Sequence, residues 1–161
     1  MSVSGSKKKI IFVLPALTAG GAERVLITLM NNLDRTKFTP EFLTISSSGS
    51  LKSLIDLNIP FHSLNKKKVS LSIFSLCKKL RSLKPDIVVS TMVHMNIALL
   101  LLKPFLPNTR FVVREAITPS FIFQSQPYMA PFVKWAYRYL YPRANWVISP
   151  AEAILNELQS L

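Results

Sequence analysis

The stretch Ile10–Leu33, IIFVLPALTAGGAERVLITLMNNL, decides the fold. Its first five residues are all apolar, which is typical of a strand buried on both faces of a parallel sheet. Pro15 has no N–H to donate and ends the strand, and Gly20 and Gly21 allow a sharp turn into a helix. A strand, a glycine turn and a helix in this order point free helix N–H groups at an anionic ligand. Apolar spacing of three and four predicts one buried helical face, made of Val25, Leu26, Leu29, Met30 and Leu33.

The same alternation of strands and helices continues along the chain. Further strands are predicted at 38–46, 59–64, 87–91, 109–114 and 146–149. Helices are predicted at 51–57, 69–83, 93–102, 128–141 and after Pro150, with a long loop at 115–127. The pattern predicts an α/β fold, a Rossmann-like parallel sheet of about six strands with helices on both faces. We expect residues 1–161 to form a single domain, with 1–6 as a flexible tail.

Composition limits the partners. Lys and Arg number 20 against 8 acidic residues, giving a net charge of +12, which indicates an anionic partner such as a nucleic acid, an acidic membrane or a phosphorylated ligand. The single cysteine, Cys77, excludes an internal disulfide, and with only His62 and His94 beside it we expect no zinc site and no other metal. No apolar run reaches the 18 residues of a membrane span.

The predicted topology brings a few polar residues to one edge of the sheet. Ligands of open parallel sheets bind at the carboxyl ends of the strands, near the point where strand order reverses. Only two acids, Glu23 and Glu115, follow a strand directly enough to reach that edge. The residues expected to converge there are Gly20, Gly21, Glu23, His94, Asn96, Arg114 and Glu115.

Two nucleotide-binding classes fit the sequence poorly. A nicotinamide-binding domain requires a three-glycine fingerprint and an acid at the end of the second strand. Here the turn has only paired glycines, and the second strand ends in Thr44-Ile45-Ser46-Ser47. A phosphate loop of the nucleotide-hydrolase type would need Gly-Lys-Ser/Thr after the turn, which is absent from this position.

Four segments resemble the N-terminal domain of the family 4 retaining glycosyltransferases, which have the two-domain GT-B fold. LTAGGAERVLITLMNNL is similar to that family's opening motif, and PDIVVSTMVHMN is similar to its fourth strand and the His/Asn segment after it. REAITPS resembles the short motif after the fifth strand, and ANWVISPAEAI resembles the sixth strand and its helix. The resemblance covers about Lys8 to Leu158.

The resemblance implies a transferase that moves a sugar from a nucleotide-diphosphate sugar to a lipid-linked or glycan acceptor. The donor is a substrate, and neither a cofactor nor a metal is expected. In that family the N-terminal domain holds the acceptor, while a C-terminal domain of similar size holds the donor. We expect that donor domain to be absent from this chain, which ends about where the family's linker begins. The chain alone would then be inactive without the missing domain or a partner chain that supplies it.

The resemblance also suggests roles for single residues, each with an alternative. Gly20 and Gly21 match the donor diphosphate loop, and Arg24 would be either a diphosphate partner or a surface cation. Glu23 would either contact the acceptor or cap its own helix. The remaining candidates are Glu115 and His94 as catalytic residues and Asn96, Arg114, Phe121 and Phe123 as acceptor-binding residues, with a structural role for His94 as the alternative. Ala116 stands where many members have a histidine or arginine.

The basic charge fits an enzyme bound peripherally to the inner, anionic face of a membrane, in the cytoplasm. Aromatic residues on the predicted helix at 128–141 would suit such an interface. The periodicity favours the alternative that Phe132, Trp135, Tyr139 and Leu140 are its buried face. A non-catalytic membrane-associated subunit of a split transferase stays open. A nucleic-acid-binding module fits less well, since the basic residues are scattered, and we expect no nucleic acid partner.

Overall fold

Six parallel strands form one sheet in the computed structural model, which describes residues 6–161. The sheet order is β3-β2-β1-β4-β5-β6, so the order reverses between β1 and β4. This confirms the predicted Rossmann-like α/β fold. Of the predicted flexible tail, only Ser6 lies within the described residues. The strands are β1 (Lys8–Leu14), β2 (Phe38–Thr44), β3 (Phe61–Ser63), β4 (Ile87–Thr91), β5 (Arg110–Arg114) and β6 (Trp146–Ile148).

The helices follow the predicted order with two corrections. The predicted helix at 51–57 is a short 3-10 turn, Ser50–Leu54, and the predicted loop at 115–127 contains a helix. That helix is only seven residues long and is rich in residues with weak helix propensity, so the sequence shows no helical spacing of apolar residues there. The helices are α1 (Gly21–Asn31), α2 (Ile73–Leu83), α3 (Val93–Leu102), α4 (Pro119–Ser125), α5 (Ala130–Tyr139) and α6 (Glu152–Gln159).

Alternate residues of the central strands belong to two separate cores. On β1, Ile10, Phe12 and Leu14 pack with Leu26, Ile27 and Met30 of α1, while Ile11 and Val13 pack against the other helices. The second core is the larger of the two and contains most of α3. Because both faces of the central strands are covered, each of these strands has a continuous apolar run in its middle or over most of its length, as in other parallel sheets.

Two predicted buried faces are wrong in part. On α1, Leu26 and Met30 are buried, but Val25 and Leu29 are about half exposed, and Glu23 and Ile27 complete the buried face instead. On α5, only Leu140 of the four expected residues is buried. The inward face of α5 consists of Val133, Ala136 and Tyr137, while Phe132, Trp135 and Tyr139 point to solvent.

The α1 side of the sheet is not covered at its β5–β6 end. Trp146 pairs in register with Val112, so its side chain lies on the same face as α1. Trp146 is 50% exposed and Ile148 is 46% exposed. The described part of the chain therefore leaves an apolar strip of this face open to solvent.

The loop after β2 is fixed against the loop after β1 by backbone hydrogen bonds. The N–H of Leu17 donates to the Ser48 carbonyl (3.0 Å), and the N–H of Leu51 donates to the Leu17 carbonyl (3.2 Å). Gly49 lies between these contacts with a φ of 121°, a region that L-residues with side chains rarely adopt. A Cβ at Gly49 would stand 2.0 Å from the Leu17 carbonyl oxygen, so the close approach of the two loops requires glycine.

We predict that Gly49→Ala lowers the free energy of unfolding by about 2 kcal/mol or more, since it adds both backbone strain and a clash with the main chain. Urea denaturation of the purified chain measures this change. Ser47→Ala, two residues away on the exposed part of the same loop, serves as the control and should change stability by less than about 0.5 kcal/mol. Equal stability of the two variants would contradict the prediction.

Candidate functional site

A cleft of about 580 Å³ opens at the carboxyl edge of the sheet, where the strand order reverses. We call it the switch-point cleft. Its walls come from the first turn of α1, the turn from β4 into α3, the segment after β5, and α4. Predicted site residues that line it are Gly20, Gly21, Glu23, His94, Glu115 and Phe121.

The floor of the cleft is a buried hydrogen-bond network around Glu115, which is 2% exposed. The Asn96 side-chain nitrogen donates to Glu115 Oε1 (2.7 Å) and to the Arg114 carbonyl (3.0 Å). Tyr137 donates its hydroxyl to Glu115 Oε2 (3.1 Å), and Tyr141 donates to Oε1. Ser90 completes the network by donating to Asn96 Oδ1 (2.6 Å). These bonds join β4, α3, α5 and the turn after α5 to the end of β5.

Burial and hydrogen bonding act on Glu115 in opposite directions. Loss of hydration raises the pKa of its carboxyl, and hydrogen bonds from Tyr141, Asn96 and Tyr137 partly offset that rise. The pKa values of the Tyr137 and Tyr141 hydroxyls are raised too, first by burial and then by the neighbouring carboxylate. Both phenols therefore stay protonated and donate. The network holds a carboxyl that takes up a proton more readily than an exposed glutamate.

The paired glycines have different surroundings. Gly20 immediately precedes α1, and a Cβ there would stand 2.2 Å from Glu23 Oε2, so glycine is needed for the close approach of this carboxylate. Glu23 is 2% exposed and accepts a hydrogen bond from the Thr18 hydroxyl (2.6 Å), not from the backbone N–H groups of the helix end. Gly21 faces open space within 4 Å of its missing Cβ. No side chain caps this end of α1 within the described residues.

The turn between β4 and α3 carries backbone strain. Met92 has a φ of 76°, an unusual value for a non-glycine residue, directly at the edge of the cleft. It is followed by Val93 and His94 in the first turn of α3. His94 is solvent-exposed, yet the atoms packed around its ring lower the pKa of the imidazole by desolvation. At neutral pH the imidazole is uncharged and can accept a hydrogen bond.

Three predicted site residues lie away from the cleft. Arg24 is exposed on α1 and does not line it. Arg114 does not line it either, since its guanidinium reaches the hydroxyl of Thr91 on β4 (3.4 Å), whereas the Glu115 carboxyl contacts α3 and α5. Phe123 packs edge-on against Tyr137, with ring centroids 6.2 Å apart, and Lys134 lies 4.9 Å from its centroid. Asn96 lies in the floor network with no exposed surface.

The sequence predictions missed Tyr137, Tyr141 and Ser90, which complete the network. Ser90 lies one residue before the end of β4, so its position in the sequence indicates only that it belongs to the strand. The two tyrosines lie four positions apart, a spacing that puts them on one side of a helix. That spacing was a readable signal, but the more obvious stripe of Phe132, Trp135 and Tyr139 obscured it.

Comparison with known families decides the assignment. The sequence model of Glycosyltransferase Family 4 matches residues 19–161. The chain belongs to this family. No curated protein sequence matches the chain significantly.

Solved structures share the fold of this family 4 chain. A lipopolysaccharide outer core galactosyltransferase, WaaB, superimposes with a TM-score of 0.65 at 13% identity, over 94% of this chain and 42% of its own. A UDP-GlcNAc 2-epimerase from Neisseria meningitidis bound to UDP-GlcNAc gives 0.66 at 17% identity, over 94% and 42%. A putative UDP-N-acetylglucosamine 2-epimerase from Listeria monocytogenes gives 0.67 at 13%, over 97% and 42%. The chain therefore spans less than half the length of these proteins.

Among residues 6–161, no group of three or more His, Cys, Asp or Glu side chains is placed to hold a metal ion. Across the same residues, no helix combines the length and the apolar content that a bilayer crossing needs. The expectation that the reaction uses no metal stays a prediction.

We predict that Asn96→Ala lowers the free energy of unfolding by about 3 kcal/mol, because it removes the side-chain partner of the buried Ser90 hydroxyl, the amide bond to the Arg114 carbonyl and one of the two donors to Glu115 Oε1. Urea denaturation measures the loss. His94→Ala, in the preceding half turn of α3, is the control and should cost less than about 1 kcal/mol, since His94 is exposed. Similar costs for both variants would show that the network does not hold the fold together.

The raised pKa of Glu115 predicts a pH dependence of stability. Because the carboxyl binds its proton more tightly in the folded chain than in the unfolded one, its favourable contribution is complete below its ordinary pKa of 4.5. That contribution is lost as pH rises through the higher pKa of the folded state. The stability of the wild type relative to Glu115→Gln should therefore fall as pH rises above 4.5, measured by denaturation at each pH. A flat or rising difference would contradict the assignment.

Proposed function

We propose that this chain is the acceptor-side half of a retaining glycosyltransferase. The complete enzyme would move a sugar from a nucleotide-diphosphate sugar to a lipid-linked or glycan acceptor, with the donor held mainly by a second domain. The observation that carries the proposal is the switch-point cleft, which joins the uncapped end of α1 to the Glu115 network at one edge of the sheet. Family membership supports the reaction class.

The first turn of α1 is the proposed contact with the donor diphosphate. Backbone N–H groups and the positive end of the helix dipole favour a negative group there. The open space beside Gly21 admits a phosphate close to the main chain. Glu23 does not obstruct this approach, since its carboxylate is turned under Gly20 and bonded to Thr18.

His94 and Glu115 are proposed to act on the acceptor in different ways. The His94 imidazole lines the cleft, is uncharged at neutral pH and can accept a hydrogen bond from an acceptor hydroxyl. Both oxygens of Glu115 already accept hydrogen bonds within the floor. Glu115 would thus act within the floor of the cleft, where it fixes the arrangement of its partners and can take up or release a proton. His94 would contact the acceptor directly.

The outward face of α5 supports a location at an anionic membrane surface. Phe132, Trp135 and Tyr139 are 44%, 44% and 53% exposed and form a continuous row, with neighbouring ring centroids 5.9 and 6.1 Å apart. Lys134 and Arg138 stand beside the row on the same helix. Exposed aromatic rings flanked by cations suit the interface of an anionic bilayer, and the net charge of +12 adds long-range attraction.

Gly21→Ala tests the site in an enzyme that joins this chain to a donor-binding domain. The added methyl has room in the fold, so stability should be unchanged or slightly higher. Sugar transfer, measured with a radiolabelled nucleotide-diphosphate sugar, should fall about 10- to 100-fold, because the methyl displaces the diphosphate from the main chain. Thr28→Ala, exposed further along α1, is the control and should keep full activity. Full activity of Gly21→Ala would remove the proposed donor contact.

Vesicle sedimentation tests the membrane proposal. The chain should sediment with vesicles containing an anionic lipid and much less with neutral ones, and salt should weaken its binding. Trp135→Ala should weaken binding about 3- to 10-fold, whereas Trp146→Ala, equally exposed on the bare sheet face, should have little effect. Equal, salt-insensitive binding to both kinds of vesicle would exclude electrostatic docking, and equal effects of the two variants would exclude α5 as the docking face.

A further inference from the structure

A second concavity, of about 500 Å³, lies beside the switch-point cleft on the face of the sheet opposite α1. We call it the α3 groove. It is bounded by α3, by the segment from Lys67 to Ile73, and by the start of α5. Its volume is within the range of small-molecule sites. Its apolar lining consists of Pro15, Val69, Ile73, Val93, Ile97, Ala98, Leu101, Met129, Phe132 and Val133.

The α3 groove begins at the cleft and runs away from it along the helix. Val93, His94 and Gln126 line both cavities, so the two are adjacent. Val93, Ile97 and Leu101 follow one another at intervals of four residues on α3. At a rise of 1.5 Å per residue, this stripe extends the groove for about 12 Å from the carboxyl edge of the sheet. The shape is that of a channel for an elongated apolar group.

The groove is basic on the side of the loop that follows β3. Lys67 and Lys68 line it and are exposed to solvent. Their loop is fixed at both ends, since the N–H of Lys66 donates to the Ile45 carbonyl just past β2 (2.8 Å) and the Ser72 hydroxyl donates to the Lys68 carbonyl (2.6 Å). None of the residues that line the groove is acidic. Two ammonium groups beside an apolar channel fit an anionic head joined to a hydrocarbon chain.

We propose that the α3 groove binds the hydrocarbon chain of a phosphorylated lipid, with the phosphate at Lys67 and Lys68. Because the groove adjoins the cleft at His94, the group attached to that phosphate would reach the cleft. If the proposed transferase function holds, the phosphorylated lipid is the sugar acceptor or carries it. This narrows the acceptor to a lipid with a phosphate near the position that receives the sugar.

Decyl phosphate, used below its critical micelle concentration, tests the groove on the chain itself by isothermal titration calorimetry. It should bind with one-to-one stoichiometry. Decyltrimethylammonium, which has the same chain and a cationic head, should bind at least about tenfold more weakly, equivalent to about 1.4 kcal/mol. Inorganic phosphate should compete only weakly, since it lacks the chain. Equal binding of the two amphiphiles would overturn the role of the lysines, and binding in many copies would overturn the groove as a specific site.

Substitutions in and outside the α3 groove test whether decyl phosphate binds there. Lys67→Glu/Lys68→Glu should weaken decyl phosphate at least about tenfold, while Lys78→Glu/Arg81→Glu, which makes the same charge change on exposed α2 positions, should weaken it only about two- to threefold. Ser70→Trp, at an exposed position that lines the groove, should block the channel without disturbing the core. Circular dichroism checks that each variant folds. Tight binding by Ser70→Trp, or equal losses in the two charge variants, would show that the ligand binds elsewhere.

The two proposals can fail separately. Amphiphile binding to the chain does not depend on sugar transfer, so its absence overturns the groove and leaves the transferase function intact. If the groove binds decyl phosphate while Gly21→Ala leaves transfer unchanged, the donor contact is wrong and the groove stands. In an active enzyme, Lys67→Glu/Lys68→Glu should raise the KM for a phosphorylated lipid acceptor about tenfold and leave the KM for the nucleotide sugar unchanged. An unchanged acceptor KM would mean that the groove does not serve transfer.

Discussion

The buried hydrogen bonds between Asn96 and Glu115 are the constraint on which the rest of the site depends. Glu115 is only 2% exposed, and burying its carboxyl would destabilise the fold unless each oxygen accepted a hydrogen bond. The donors here are the Asn96 amide and the hydroxyls of two tyrosines. Those partners come from α3, from α5 and from the turn after α5. Satisfying Glu115 therefore fixes how these elements meet the ends of β4 and β5. The switch-point cleft and the α3 groove are two spaces left between elements positioned in this way.

The cleft has two chemically different walls. On the α1 side, the carboxylate of Glu23 is folded under Gly20, which leaves Gly21 and the helix end open. On the α3 side, the strained turn at Met92 starts the helix so that Asn96 points inward and His94 points to solvent. One wall offers backbone N–H groups and the other an uncharged imidazole. These are suitable groups for a diphosphate and for a hydroxyl.

Much of the fold was predictable because alternating apolar strands and helices leave a periodic record in the sequence. The bounds of α3 were predicted to the residue, since ten consecutive residues without a turn signal leave little choice. The predictions were wrong about which side chains of individual helices are buried. On α1 and α5 several apolar side chains compete for the inward position, and packing against β1 or Glu115 selects among them.

Pro40 lies within β2 although proline has no N–H to donate to a neighbouring strand. It is tolerated there because β3 pairs with β2 only from Phe42 onward, so no strand on that side needs the missing N–H.

The site was predicted less well than the fold for a related reason. Topology alone brought Gly20, Glu23, His94 and Glu115 to one edge, and the structure places all four around the cleft. Topology does not say which face of the sheet a strand-end residue occupies, and the Arg114 guanidinium reaches Thr91 on β4 instead of lining the cleft. Tyr137 and Tyr141 come from a helix and turn far along the chain, so only the packed structure shows that they complete the network. No repeating pattern in the sequence indicates a surface feature such as the α3 groove, because its lining residues come from separate segments of the chain.

The central claim is that the open end of α1 in the switch-point cleft receives the diphosphate of a sugar nucleotide. The most direct measurement is the amide NMR spectrum of the 15N-labelled chain during titration with uridine diphosphate. We expect progressive shifts of the Gly20, Gly21 and Ala22 amide signals, with little change for Thr28 and Leu29 further along α1. Unchanged signals at residues 20–22, with shifts confined to other basic surfaces, would contradict it.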